Sequence, residues 1–184
     1  LLHRSIGGPS VRPPQPDSVT EESFDQTWKA EEGPSRYRRG LYTFIQRTSP
    51  FGQSVNFDFP DTNRACARRE RSNTPLQALN LLNDVTFFDT ARALADNLFT
   101  ECGPDETSRI DHAYLCCVAR LPDPFERDRL LRLVAEERER LRADPEAIAA
   151  IVGDSEVLPK DAEGAAWVIA CSVVLNLDEF NTKE

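Results

Sequence analysis

Methionine is absent from all 184 residues, and histidine is limited to His3 and His112. A reading frame opens with Met, so a chain that begins at Leu1 is expected to be a piece of a longer protein, truncated on its N-terminal side. Neither histidine has a partner at metal-ligand spacing, and no Ser/His/Asp or Cys/His constellation suited to nucleophilic catalysis is recognisable. The five cysteines, Cys66, Cys102, Cys116, Cys117 and Cys171, form no CxxC or CxxCH pattern, which excludes a zinc ribbon and covalent haem attachment within this piece. Their odd number leaves at least one thiol outside any internal disulfide. The expected arrangement is three or four buried small apolar groups, with one disulfide as the alternative. No apolar run approaches the roughly eighteen residues that a membrane helix needs, and no basic-then-apolar signal peptide opens the chain.

What is present is charge, and it is unevenly spread. The net charge is −9. Residues 1–35 carry three Lys/Arg against six Asp/Glu, residues 36–71 eight against three, and residues 72–184 eleven against twenty-two. A basic middle therefore lies between acidic flanks. Bulk acidity argues against a general nucleic-acid binder. A local cationic patch remains, and it is built almost wholly from Arg, the side chain suited to bidentate contact with carboxylate, phosphate or sulfate.

The pattern along the chain predicts a mainly α protein, an orthogonal bundle of five or six short helices behind an irregular Pro/Arg-rich arm with at most a short β-hairpin. Residues 1–35 read as the arm, because Gly7-Gly8-Pro9 and Arg12-Pro13-Pro14-Gln15-Pro16 favour turns and polyproline II, with Trp28 as anchor. Residues 36–72 form a loop or hairpin bearing the basic cluster. Within them Leu41–Ile45 and Val55–Phe59 favour strands, although the first run also suits one helical turn.

Residues 73–184 read as the helical bundle. Thr74 is an N-cap, Pro75 occupies the first helical position and Gln77 completes a capping box, after which Leu76, Leu79 and Leu82 follow on one face and Asn83 ends the turn. Asp84 caps a second helix carrying Phe87, Phe88, Ala91, Leu94, Ala95 and Leu98, and Gly103-Pro104 stops it. A third helix spans about 106–119. Asp123-Pro124-Phe125-Glu126 repeats the capping box for a fourth, Asp144-Pro145-Glu146 opens a fifth, and the apolar stretch 162–177 forms the last.

Several of these segments occur together in one known family. Ile6-Gly7-Gly8-Pro9-Ser10-Val11-Arg12-Pro13, Tyr37-Arg38-Arg39-Gly40-Leu41-Tyr42, Phe57-Asp58-Phe59-Pro60-Asp61, Asn73-Thr74-Pro75-Leu76-Gln77-Ala78-Leu79 and Asn176-Leu177-Asp178-Glu179-Phe180 appear in that order. The chain resembles the C-terminal domain of unknown function (family 1553) of large planctomycete-type exported proteins. Arg120-Leu121-Pro122 followed by Glu126 is also similar to a helical corner of related exported helical repeats. The resemblance implies an exported parent, a companion domain as partner, and haem c on a separate domain rather than any cofactor here. It implies no catalytic residues.

Two clusters stand out as candidate sites. Arg38, Arg39, Arg64, Arg68, Arg69 and Arg71 would cradle an anion near the Pro75 helix start if their segments converge; pairing with the acidic helices is the competing and preferred arrangement. Asp58 and Asp61 flank Pro60 and are candidates for acid/base work or for a hard cation, against a simple turn-forming role, which is preferred. The expectation is a non-catalytic structural or binding module that engages a companion domain and an anionic polysaccharide or envelope partner. Its competitors are part of a hydrolase-like enzyme acting on complex or sulfated polysaccharide, and a docking platform for the parent's haem domain.

Overall fold

The computed structural model describes residues 1–15, 28–47, 49–61, 63–68 and 72–182. It is mainly helical and divides into two compact units, Leu1–Thr86 and Phe87–Glu184. Eight α-helices lie among the described residues: α1 (Gly52–Asn56), α2 (Pro75–Asn83), α3 (Val85–Glu101), α4 (Glu106–Val118), α5 (Pro124–Leu141), α6 (Pro145–Val152), α7 (Ala162–Leu175) and α8 (Asp178–Asn181).

In the first unit the Pro-rich arm runs beside residues 37–44 instead of trailing as a linker. His3 pairs with Arg38 and Val11 with Thr43 in isolated parallel bridges. Val11 N–H donates to the Tyr42 carbonyl at 2.8 Å and Phe44 N–H to the Val11 carbonyl at 2.7 Å. Prolines at 13 and 14 stop that pairing, since they have no N–H to give. Trp28 is buried, stacks on Phe51 at 5.5 Å between centroids, and donates its indole N–H to the Pro13 carbonyl at 3.0 Å. One aromatic thus holds the arm by its face and its polar edge together.

Neither β-favouring run becomes a strand among the described residues. Gly40–Tyr42 is a 3-10 turn, with Thr43 and Phe44 extended against Val11. The second run differs more: Gly52–Asn56 is helical, and Phe59 N–H returns to the Ser54 carbonyl at 2.9 Å. Its backbone donors find acceptors locally, and Asp58 adopts φ 56°, which breaks an extended path.

The second unit is built around α7, whose residues are buried on nearly every side, from Ala165 and Trp167 to Cys171 and Val174. That suits a helix that is apolar all round. Around it pack Ala91, Ala95 and Leu98 of α3, Ile110 and Tyr114 of α4, Leu130, Val134 and Leu141 of α5, and Val152 of α6. Gly164 is required at its start, because a Cβ there would lie 2.2 Å from the Pro159 carbonyl oxygen.

Arginines tie the rim of this core to carboxylates. Arg109 lies over Phe99 at 3.7 Å and Trp167 at 5.4 Å, and donates to the Gly103 carbonyl at 3.0 Å. Glu163 accepts from the Trp167 indole at 2.8 Å and from Arg138, which also reaches Glu106. At the α4–α5 corner Ala119 ends α4 in the left-handed region at φ 57°. Arg120 then forks to Glu126 at 2.7 and 2.8 Å and to Glu179 at 2.7 and 2.8 Å. Glu126 serves twice, since it also completes the capping box with Asp123.

Of the five thiols, Cys171 alone is fully buried; Cys102 and Cys117 are half-buried, Cys66 and Cys116 are exposed, and all five are free. This corrects the expectation of three or four buried ones. Adjacent residues on a helix point about 100° apart, so burial of Cys117 leaves Cys116 outside, and burial pushes the Cys117 thiol up to about 11.

Hydrogen bonds from Arg120 hold the carboxyls of Glu126 and Glu179 below the usual carboxylate range. Both groups are therefore more acidic folded than unfolded. Their contribution is present above the unfolded carboxylate range and is lost as pH falls through the folded values. Thermal unfolding followed by circular dichroism is expected to show Tm dropping on acidification below about pH 4.3. The Arg120→Ala variant is expected to lower Tm at neutral pH and to flatten that acid limb.

Candidate functional site

The candidate site is a cleft of about 580 Å³ in the first unit, lined by Asp58, Phe59, Asp61, Arg64, Cys66 and Arg68 among others. Local chain chemistry builds it. α1 ends at Asn56, the left-handed Asp58 turns the backbone, and Pro60 holds the next bend. Asp61 then closes a turn, its Oδ1 accepting from the Asn63 N–H at 2.9 Å and from the Asn63 side-chain amide at 3.0 Å. The bond from the Asn63 N–H, followed by that from its side chain, holds the Asp61 carboxyl below its ordinary value.

Asp58 reaches back to the start of α2. Its Oδ2 accepts from Ser72 N–H at 2.7 Å, and the Ser72 hydroxyl donates to Oδ1 at 2.8 Å. The network continues through Gln77, which is only 4% exposed. Gln77 N–H donates to Thr74 Oγ1 at 3.2 Å and Thr74 N–H to Gln77 Oε1 at 3.0 Å, so both halves of the capping box are made. The remaining amide hydrogens of Gln77 go to the Asn56 carbonyl at 2.7 Å and the Ser72 hydroxyl at 3.0 Å. Pro75 at the first helical position gives up no needed donor. Asn83 closes the other end, donating to the Leu79 carbonyl at 2.7 Å. These bonds place α2 in the first unit together with the arm.

The arginines separate into two groups. Arg64 and Arg68 line the cleft. Arg64 is highly exposed and lies 3.7 Å from Asp61, while the Arg68 carbonyl accepts from the Cys66 thiol at 3.1 Å. Arg38 belongs to the arm: it donates to the Pro9 carbonyl at 2.9 Å, to Ser5 at 3.4 Å and to Gly7, and lies 3.7 Å over the Tyr42 ring. Gly7 and Gly8 wrap it at φ 81° and 88°, a path open to glycine. Arg39 stands beside the Tyr42 hydroxyl, which accepts from Gly7 N–H at 2.9 Å. That bond lowers the Tyr42 pKa, helped by the charges of Arg38 and Arg39. Of the six arginines expected to converge, Arg64 and Arg68 line one cleft and Arg38 and Arg39 lie with the arm; Arg69 and Arg71 lie outside the described residues.

Sequence reasoning missed Ser72 and Tyr42. Ser72 meets Asp58 across fourteen positions, and no local pattern marks such a pair. The Gly7-Gly8 doublet was the available sign that the arm turns tightly around a side chain. Among the described residues no group of three or more His, Cys, Asp or Glu side chains could hold a metal ion.

The family model for PSD1, protein of unknown function (DUF1553), matches residues 1–134. The chain belongs to that family. The match takes in the whole cleft, the α2 cap and the Arg120–Glu126 corner of this PSD1-family chain. No curated protein and no solved structure matches it.

Asp58→Ala removes the acceptor for the Ser72 N–H and hydroxyl. It is expected to cost about 1–3 kcal/mol, the penalty for stranding partly buried donors, read as a lower urea midpoint. Asp61→Ala, on an exposed turn, is expected to cost well under half of that. Equal effects would contradict the roles given to the two carboxylates.

Proposed function

We propose that this chain is a non-catalytic binding module of a larger exported protein, and that its cleft receives an anionic group of a glycan or envelope partner on Arg64 and Arg68. One observation carries the reading. Both carboxylates of the cleft are engaged in holding backbone, Asp58 by Ser72 and Asp61 by Asn63, while Arg64 and Arg68 line the same cleft, Arg64 in a long, exposed ion pair of 3.7 Å with Asp61. Two arginines beside carboxylates already engaged with backbone favour an anionic ligand.

The hydrolase reading has one point in its favour, since Asp58 shares the cleft with Arg64 and Arg68. General acid/base work needs a carboxyl able to exchange its proton at working pH. Asp61 is held to the acidic side, which suits a fixed anion. Export, a companion domain and a haem-bearing neighbour are carried by the resemblance of the motifs above. No helix is long and apolar enough to cross a membrane among the described residues.

Differential scanning fluorimetry tests the proposal with sodium sulfate and a sulfated oligosaccharide, against sodium chloride and the unsulfated sugar. Sulfate stabilises folded proteins generally by exclusion from their surface, so the Arg64→Gln/Arg68→Gln variant is the control. A specific ligand at about 100 times its Kd adds about 2.7 kcal/mol, and that increment is expected in the native chain and not in the variant. Identical shifts in the two proteins would contradict the proposal.

A further inference from the structure

Phe59 is an aromatic that the packing of the first unit does not use. Trp28 and Phe51 are buried and stacked on each other, whereas Phe59 is 42% exposed and lies on the wall of the cleft. Its ring stacks on no other aromatic among the described residues. Val55, which is 56% exposed, and Pro60 line the cleft beside it. The cleft thus has an apolar ledge as well as two guanidiniums. Asp61 supplies a third feature. Its Oδ1 takes both bonds from Asn63, while its Oδ2 lies 3.7 Å from the Arg64 guanidinium, beyond hydrogen-bond length. A carboxylate oxygen in that position has room to accept from a hydroxyl. The bonds from Asn63 also hold the carboxyl below its ordinary value, so it is an acceptor across the neutral range.

We propose that the group received in this cleft is an acidic pyranose ring. Its C–H face packs on Phe59, a ring hydroxyl donates to Asp61 Oδ2, and its carboxylate or sulfate substituent sits on Arg64 and Arg68. The inference rests on the reading of the cleft as an anion site, and adds to it a ligand class and the residue that selects it. Three features together decide for a sugar. A simple anion uses the guanidiniums and leaves the ledge and the Asp61 acceptor idle. A fatty or aromatic acid uses ledge and guanidiniums, but displaces water from Asp61 Oδ2 with no donor to replace it, which is costly. A sugar acid presents an apolar C–H face, hydroxyl donors and a charge, one for each feature. The cleft volume of about 580 Å³ falls within the roughly 300–1,000 Å³ of small-ligand sites, in which a few placed polar groups fix the ligand's orientation.

Backbone-amide NMR titration of the intact chain tests this, with methyl glucuronide and a glucose monosulfate against sodium acetate, sodium sulfate and glucose. The native chain is expected to bind at least one of the acidic sugars about tenfold more tightly than the matching simple anion, the size of a good aromatic contact. The two sugars separate a uronate from a sulfate ester. Phe59→Leu, which keeps bulk and loses the flat face, is expected to lose that margin while its affinity for the simple anion stays. Phe59→Trp, which keeps a flat face, is expected to retain the margin. Both variants are checked for the native amide spectrum outside the cleft. Arg64→Gln/Arg68→Gln is expected to lose sugars and simple anions alike. Acidic sugars bound no better than their simple anions, or a margin that survives Phe59→Leu, overturn the sugar assignment and leave the anion site standing. A native spectrum that no sugar and no anion shifts overturns both.

Discussion

The side-chain amide of Gln77 is the interaction on which the first unit depends. One group closes the capping box with Thr74, takes the Asn56 carbonyl at the end of α1, and supports the Ser72 hydroxyl that Asp58 grips. A buried amide without partners is costly, and here both of its ends are satisfied. The position of α2 follows from that satisfaction more than from apolar burial. Two consequences follow: Asp58 and Ser72 are held together beside the cleft lined by residues from Val55 to Arg68, and the leucine side of α2 is turned away from its own unit.

The two units are stabilised by different means. The second buries a continuous apolar core around Trp167, Val168 and Cys171 and uses Arg120, Arg138 and Arg109 to fasten its edges. The first has far less apolar substance: Val11, Trp28, Phe51 and Leu81 are its buried hydrophobic residues among those described. It relies on hydrogen bonds between segments distant in sequence, with Arg38 serving three carbonyls and Tyr42 anchoring Gly7. Arginine, the residue that suggested an anion site, is at most of its described positions a structural cross-link. Arg64 and Arg68 stand apart because the cleft presents them to solvent.

Legibility in the sequence tracks the range of the interaction. The capping boxes at Thr74–Gln77 and Asp123–Glu126 depend on contacts three residues apart, and their residue types announce them. The helical character of 75–175 follows from the same local signals. The Asp58–Ser72 pair, the Arg38 clamp and the Arg120–Glu179 pair span 14, about thirty and 59 positions, and nothing in one sequence singles them out. The outward turn of Leu76, Leu79 and Leu82 was hidden for a related reason. Apolar periodicity finds a face but not its direction, and here a single amide sets the direction. The run Val55–Phe59 misleads as a strand because β-propensity speaks for a pleated, half-buried surface that has no neighbouring strand at this place.

The most direct measurement is amide hydrogen exchange, followed by mass spectrometry, on the native chain and on Gln77→Ala. The account predicts faster exchange at Ser72, Thr74 and the first turn of α2 in the variant, with protection of α5 and α7 unchanged, because the amide organises the first unit alone. Unaltered exchange across 56–79 would contradict the central role given to Gln77.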